Sequence, residues 1–550
     1  NKGRSLHVAS LRDQTFGFAR TGLLLLMAAA LMFLLIGCAN VANLLLARAF
    51  KRHREISIRL ALGASRSRIA RQLVTESCVL AVFGGLGGYA LTVLAWTLLP
   101  AVAPMTIPRL AAARADWTVF AFTLTVSVLN GILFGIVPAL RTAQQDPALA
   151  LSGARGSVGA IRNTFRSTLV AGEVAIAVVL VVIGGLLTGS FVHLLRTDPG
   201  FEAGHVLANI IIASGDQYKT PEQRGVLYTR ILDSVRTLPG VEMAGTVDAL
   251  PFSGENHGGE ISKGESETVQ IAEIDRVSSE YLPAMGVPLL EGRMFRPDDM
   301  DPARDTAIVN EVAAARFWPG ESAIGKRICL FCSNPQFRQW KQVIGVVKTV
   351  HHASLNDPAG PDVYFASGAL KAAQFLVVRT NHPNADLARS IRQAVAAIDP
   401  KQPVFLSATM STLIGDSIAD RRFIMTLLAI TGCLALLLSA AGVYGVVSYA
   451  TSLRTQEIGV RMALGATSKQ VHGMIFRQGM RLAGIGVAVG LTIALALTRI
   501  LSSILAGLTS TNPTLIVMAV ALVTTSAAIA CLIPANRATK VDPMTALRQE

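Results

Sequence analysis

Long apolar stretches alternate with short basic ones along the chain, and one long mixed segment interrupts the rhythm. A helix needs about 20 mostly apolar residues to cross a hydrocarbon core of roughly 30 Å. Seven stretches meet that requirement: Thr21 to Leu46, Val74 to Leu99, Trp117 to Leu140, Ser167 to Leu195, Phe423 to Tyr449, Met480 to Leu505 and Pro513 to Pro534. The interruption mixes strand-like runs such as Phe375–Val378 and Gln342–Val347 with helix-like ones such as Asp386–Ile398, a pattern that predicts an α+β domain of two lobes. The expected fold class is therefore an integral membrane α-helical protein carrying one large extracytoplasmic α+β domain.

Composition agrees, because 51% of the 550 residues are hydrophobic, only 16% are charged, and the mean hydropathy is +0.48. Soluble domains carry about 25% charged residues. The net charge of +14 is unevenly spread: residues 201–420 hold 20 Lys and Arg against 26 Asp and Glu, and the remainder holds 30 against 10. Basic residues clustered beside apolar spans mark the cytoplasmic side, and this distribution argues against a nucleic-acid partner. Arg48, Lys51, Arg52, Arg54, Arg59, Arg66, Arg68 and Arg71 place the first loop inside, and alternation places the acidic segment outside. Seven spans leave residues 1–20 outside, from which an upstream helix, and with it an upstream domain, is expected to precede residue 1.

The chain also repeats itself. Glu55-Ile56-Ser57-Ile58-Arg59-Leu60-Ala61-Leu62-Gly63-Ala64-Ser65 recurs 402 residues later as Glu457-Ile458-Gly459-Val460-Arg461-Met462-Ala463-Leu464-Gly465-Ala466-Thr467. Pro138-Ala139-Leu140-Arg141 with Asp146-Pro147 answers to Pro534-Ala535-Asn536-Arg537 with Asp542-Pro543. The matches lie mainly in polar loops, so generic likeness between apolar helices does not explain them. Two three-span units in parallel order are expected, each with a short amphipathic helix in its first loop. In the first copy Ile56 and Leu60 face one way and Glu55 and Arg59 another, and the Gly-Ala-Ser/Thr step reads as a helix stop followed by a new N-cap. A surface anchor in the membrane is the plainer reading of such a helix.

These signatures resemble the MacB/FtsX-type permeases of ABC transporters, in particular the long duplicated permeases known from acidobacteria. The resemblance also rests on Cys38-Ala39-Asn40-Val41-Ala42-Asn43, Asp198-Pro199-Gly200-Phe201, Asn310-Glu311, Phe317-Trp318-Pro319-Gly320 with Ile324-Gly325-Lys326, and Val343–Val347. It implies an N-terminally truncated copy built from two tandem FtsX-like three-helix units. Residues 1–20 would end an extracytoplasmic segment, 21–140 form the first unit, and 141–166 a cytoplasmic linker. Residues 167–196 would open the second unit, 197–420 form a MacB-like domain, 421–536 the second three-helix unit, and 537–550 a cytoplasmic tail.

What the resemblance implies about function is coupling. Glu55, Arg59, Gly63 and Ala64, with Glu457, Arg461, Gly465 and Ala466, would dock on a separate cytoplasmic ABC ATPase, and the helices would pass its closure outward to drive export or efflux. The alternative is a non-transporting regulator that relays ATPase state to an envelope partner. Besides the ATPase and lipid, a second permease copy or an envelope adaptor are expected partners, and the inner membrane is the expected location. No cofactor is expected in the chain itself, ATP being held by the partner subunit.

Other candidate chemistry is weaker. Gly320-Glu321-Ser322-Ala323-Ile324-Gly325-Lys326-Arg327 imitates a phosphate-binding loop, but Arg327 stands where a magnesium-binding hydroxyl belongs and the segment is expected outside, so it reads as a turn. Cys329 and Cys332 are a candidate disulfide in an oxidising envelope, with free thiols and a metal or redox role as alternatives. Asn40 and Asn43 share a helix face, and Gly84 and Gly88 have small-xxx-small spacing; both pairs read as helix-packing determinants, with substrate contact as the alternative. Glu173, early in the fourth span, reads as a carboxylate reaching back to interfacial water, with coupling or proton chemistry as the alternative.

Overall fold

The computed structural model describes residues 11–51, 59, 65–98, 114–143, 158–255, 257–264, 269–301, 303–355, 359–366, 373–381, 385–504 and 512–539. Four long helices come first: α1 (Leu11–Lys51), α2 (Arg66–Leu98), α3 (Trp117–Ala143) and α4 (Val158–Leu195). The mixed segment follows with β1 (Val206–Ile212), α5 (Pro221–Arg236), β2 (Val241–Val247), β3 (Gly258–Ser262), β4 (Gln270–Val277), α6 (Tyr281–Met285), β5 (Leu289–Gly292) and β6 (Thr306–Asn310). It continues with α7 (Glu311–Phe317), β7 (Arg327–Leu330), β8 (Gln339–Val347), β9 (Asp362–Ala366), β10 (Ala373–Thr380), α8 (Ala385–Ile398), β11 (Val404–Thr409) and α9 (Met410–Ser417). Four helices close the chain: α10 (Ala419–Leu453), α11 (Thr455–Ala463), α12 (Ser468–Ile504) and α13 (Pro513–Ala538). The chain divides into two compact units, one formed by Asn1–Val192 with Asp420–Glu550 and the other by His193–Ala419.

In the helical unit, six helices are long and apolar enough to cross a membrane among the described residues, and a shorter apolar stretch, Trp117–Leu133, occupies most of α3. Large apolar side chains such as Met27, Leu91, Phe122 and Met518 point outward, as a lipid solvent allows. One core gathers α4, α10, α12 and α13 around Val170, Val174, Val178, Val446, Val471 and Val523. A second, around Ala29, Ile36, Leu180, Leu428 and Ala435, packs α1 against α4 and α10.

The two repeats pack their second and third helices alike. A Cβ built on Gly135 of α3 would lie 3.0 Å from Ser77 Cβ of α2, and one built on Gly479 of α12 would collide with Cys531 of α13. Ser77 and Gly479 are 402 residues apart, and Gly135 and Cys531 are 396 apart, so the small and the larger partner have changed places.

The other unit has two lobes. In the first, β11-β1-β10-β2 form an antiparallel sheet covered by α5 and α8, the split β-α-β arrangement. Its core is Tyr228, Ile231, Leu376, Val378, Ile391 and Val395. Helix α5 starts sharply because Thr220 and Gln223 form a reciprocal capping box with Pro221 in the first turn. Strand β11 is an edge strand: its register on β1 shifts between Asn209 and Ile210, and Leu406, which the pairing skips, has φ +46°.

In the second lobe the order is β4-β3-β7-β8-β6-β9, and β9 returns to pair in parallel with β4, closing the strands on one another around Ile274, Val309, Ile328, Val343 and Val363. The lobes join where β2 meets β4 through one residue pair, Val247 with Val277. Cys329 and Cys332 lie at the end of β7 with their sulfurs bonded and Cα atoms 5.8 Å apart.

Asn310 ties this lobe together. Its Oδ1 accepts from Ala313 N–H at 2.8 Å, capping α7, and from Asp362 N–H at 3.1 Å; its Nδ2 donates to the Gly360 carbonyl at 2.8 Å and to Asp362 Oδ2 at 2.9 Å. The residue is fully buried. Asn310→Ala removes a cap and strips a buried carboxylate of a donor, so it is expected to destabilise this unit by about 2–4 kcal/mol. Thermal unfolding of the purified chain, compared with an exposed control such as Glu222→Ala, measures that loss.

Candidate functional site: the basic loop and a polar helix junction

The second copy of the repeated loop is an ordered helix. Arg461 and Glu457 pair at 2.6 Å on the half-exposed side of α11, while Ile458 is buried and Met462 packs with it against the helical core. Ile458 and Met462 are the counterparts of Ile56 and Leu60, the residues expected to share the inward face.

The helix ends in a Schellman turn: Ala466 N–H bonds to the Arg461 carbonyl at 2.9 Å and Gly465 N–H to the Met462 carbonyl at 3.1 Å. Gly465 has φ +100°, which a side chain would resist, so glycine is required there. Thr467 then opens α12, its N–H donating to Gln470 Oε1 at 2.9 Å. The turn leaves Leu464 83% exposed, beside Val460 at 41%.

Of the first copy, Glu55, Gly63 and Ala64 lie outside the described residues. Arg59 donates to Gln72 Oε1 of α2 at 3.3 Å, and its counterpart Arg461 lies 3.1 Å from Met474 Sδ of α12. Gln72 and Met474 are themselves 402 residues apart, so both copies seat this arginine against the same position of the next helix.

A polar junction joins α1 to the second repeat. Asn40 donates to the Leu438 carbonyl of α10 at 2.9 Å, and Asn43 donates to Glu173 Oε1 of α4 at 3.1 Å. Arg166 donates to the Asn43 carbonyl at 3.3 Å and lies 4.1 Å from the centre of the Tyr449 ring. The snorkelling expected of Glu173 does not occur. It is 1% exposed, because α1 and α10 close over it and Asn43 supplies the donor that water would have supplied. Gly442 of α10 leaves the room, since a Cβ there would overlap the Glu173 carboxylate. Hydropathy could not reveal this, because the partners are 130 and 269 residues away.

The glycine expectation also needs correcting. A Cβ on Gly84 or Gly88 would meet nothing within 4 Å, and Gly84 instead lines a cleft of about 410 Å³ with Val41, Leu80, Ser127 and Asn130. The close approaches of α2 and α3 are at Gly85, Gly131 and Gly135. In the second repeat, however, the counterparts Gly486 and Gly490 of α12 press on α4, with built Cβ atoms 2.6 Å from the Ala171 carbonyl and 2.5 Å from the Ala175 carbonyl. The spacing therefore does mark a backbone contact in the repeat where an α4-type helix lies against it.

In the phosphate-loop imitation, Lys326 Nζ pairs with Glu321 Oε2 at 2.8 Å, Ser322 bonds to Glu291, and Gly320 and Gly325 take positive φ. That is a surface turn between α7 and β7.

Fold and site together define a multi-pass membrane permease with a large periplasmic-type α+β domain. The FtsX-like permease C-terminal family matches residues 27–147 and again 429–543, and the MacB-like periplasmic core domain family matches 167–400. The chain is a member of the MacB/FtsX-type ABC transporter permeases. Neither matched family is an ATPase domain.

Among curated relatives, it is 27% identical over 354 residues to the macrolide export ATP-binding/permease protein MacB of Marinobacter nauticus, covering 60% of this chain and 51% of that one. It is 39% identical over 132 residues to the pyoverdine export ATP-binding/permease protein PvdT of Pseudomonas savastanoi, covering 24% and 19%. The chain thus spans about half the length of such relatives or less. The periplasmic region of MacB from Actinobacillus actinomycetemcomitans aligns at 15% identity and TM-score 0.28, covering 40% of this chain and 95% of that one, too low a score to carry an argument.

The junction makes a contrast measurable. Asn43→Ala should lower stability by about 1–2 kcal/mol by taking a donor from a buried carboxylate, and Gly442→Ala by about 1–3 kcal/mol through overpacking. Gly84→Ala should stay within about 0.5 kcal/mol of the parent. Thermal unfolding in one detergent ranks the three, and equal midpoints would refute the junction.

Proposed function

We propose that this chain is the permease of an ABC-type export system in the inner membrane, and that a separate ATPase docks on its two repeated loops. The observation that carries the reading is the outward face of α11. Glu457 and Arg461 are tied to each other, Ile458 and Met462 anchor the helix, and Val460 and Leu464 are left as an apolar step with no cover among the described residues. Closure of ATPase subunits would press on both loops, and α12, in backbone contact with α4, would pass the displacement to the helix that leads into the outer domain. ATP would be bound by the partner; the relatives named as ATP-binding/permease proteins for export join ATP binding to a permease in one protein, which supports the pairing of this permease with an ATPase.

Leu464→Asp tests the docking face without disturbing the core. With a cognate ATPase identified by copurification, the variant should lose about tenfold in permease-stimulated ATP hydrolysis, as should Glu457→Lys paired with Arg461→Glu. Unchanged binding and stimulation in both would sink the docking claim. Reconstituted vesicles showing ATP-dependent substrate movement distinguish an exporter from a regulator.

A further inference from the structure

Three side chains meet at the seam between the two lobes of the outer domain. Asp248 follows β2 of the first lobe, and its Oδ1 accepts from Arg276 N–H at 2.9 Å. Asp275 sits on β4 of the second lobe, its side chain 2% exposed and its Oδ1 accepting no hydrogen bond. His257 leads into β3, held by Ile274 N–H donating to its carbonyl at 3.0 Å. Its Nδ1 lies 3.6 Å from Asp248 Oδ1 and 3.8 Å from Asp275 Oδ1, and all three ligand atoms lie within 4.8 Å of one another.

These spacings discriminate between a proton and a metal. A proton shared between nitrogen and oxygen needs them about 2.7–3.2 Å apart. Donors bound to a tetrahedral ion at about 2.1 Å lie about 3.4 Å from one another. Two carboxylates would neutralise a dication, and one imidazole selects the borderline transition metals over magnesium or calcium. The side chain of His257 is 26% exposed, which leaves a path for the ion and a place for a water as fourth ligand.

We propose that Asp248, His257 and Asp275 form a binding site for a divalent transition-metal ion of the zinc class. The ion pins the end of β2 to β3 and β4, across a seam where the strand register pairs Val247 with Val277 and the flanking backbone bonds run from Asp248 N–H to the Arg276 carbonyl and from Ser278 N–H to the Thr246 carbonyl. The nearby buried pair of His352 and Asp362, 3.5 Å apart, belongs to the barrel lobe and is not among the ligands.

The test uses the full chain in detergent, freed of metal with chelator and given Zn²⁺ alone. Expected are one Zn²⁺ per chain by elemental analysis and a raised unfolding midpoint, with affinity about tenfold weaker or worse in His257→Ala and Asp275→Asn. The double variant Cys329→Ser, Cys332→Ser should bind as the parent does. Should His257→Ala lose its metal-free unfolding transition, His257→Gln, close in size, replaces it. The proposal is overturned if the parent binds no stoichiometric Zn²⁺, if the His257 variant binds it equally, or if the cysteine variant loses it.

Discussion

A carboxylate enclosed among helices in a membrane has only protein to turn to, and Glu173 sets a condition that two other helices and its own meet. Asn43 of α1 supplies the donor, Gly442 of α10 supplies the space, and Arg166 brings a positive group to the same region through the Asn43 carbonyl. This binds the first repeat to the second by directional bonds where packing alone would allow helices to slide. Asn40 reaching the Leu438 carbonyl adds a second such bond one turn away. Asn40 and Gly442 are also counterparts in the repeat, 402 residues apart, so equivalent points of α1 and α10 meet face to face.

Most of the architecture was legible in the sequence because it depends on local signals. Spans follow from length and apolarity, the second loop's inward and outward faces from spacing, and its end from a glycine whose conformation the Schellman turn demands. The repeat was legible through its polar loops, where little besides shared function and shared geometry holds residues alike. What stayed hidden depends on who sits opposite. Glu173 looked like an interfacial carboxylate because its partners come from two other helices. Gly84 and Gly88 have the spacing of a helix contact, and only the structure shows that Gly486 and Gly490 use it.

The cluster at the lobe seam was hidden for the same reason in sharper form. Asp248, His257 and Asp275 have no metal-type spacing, because neighbouring strands assemble them and the chain does not. Cys329 and Cys332, by contrast, are conspicuous in the sequence through their three-residue separation, and their sulfurs bond to each other. Where β-strands build a site, ligands are found by register: the pairing of β3 with β4 and of β2 with β4 fixes which side chains converge.

Closing β9 onto β4 consumes edges that would otherwise recruit stray strands, but β11 still presents one, with Phe405 and Leu406 half exposed on it. A straight apolar edge of that kind is a template for aggregation. The kink at Leu406 breaks its hydrogen-bonding rhythm, so an incoming strand finds no continuous row of partners along this edge.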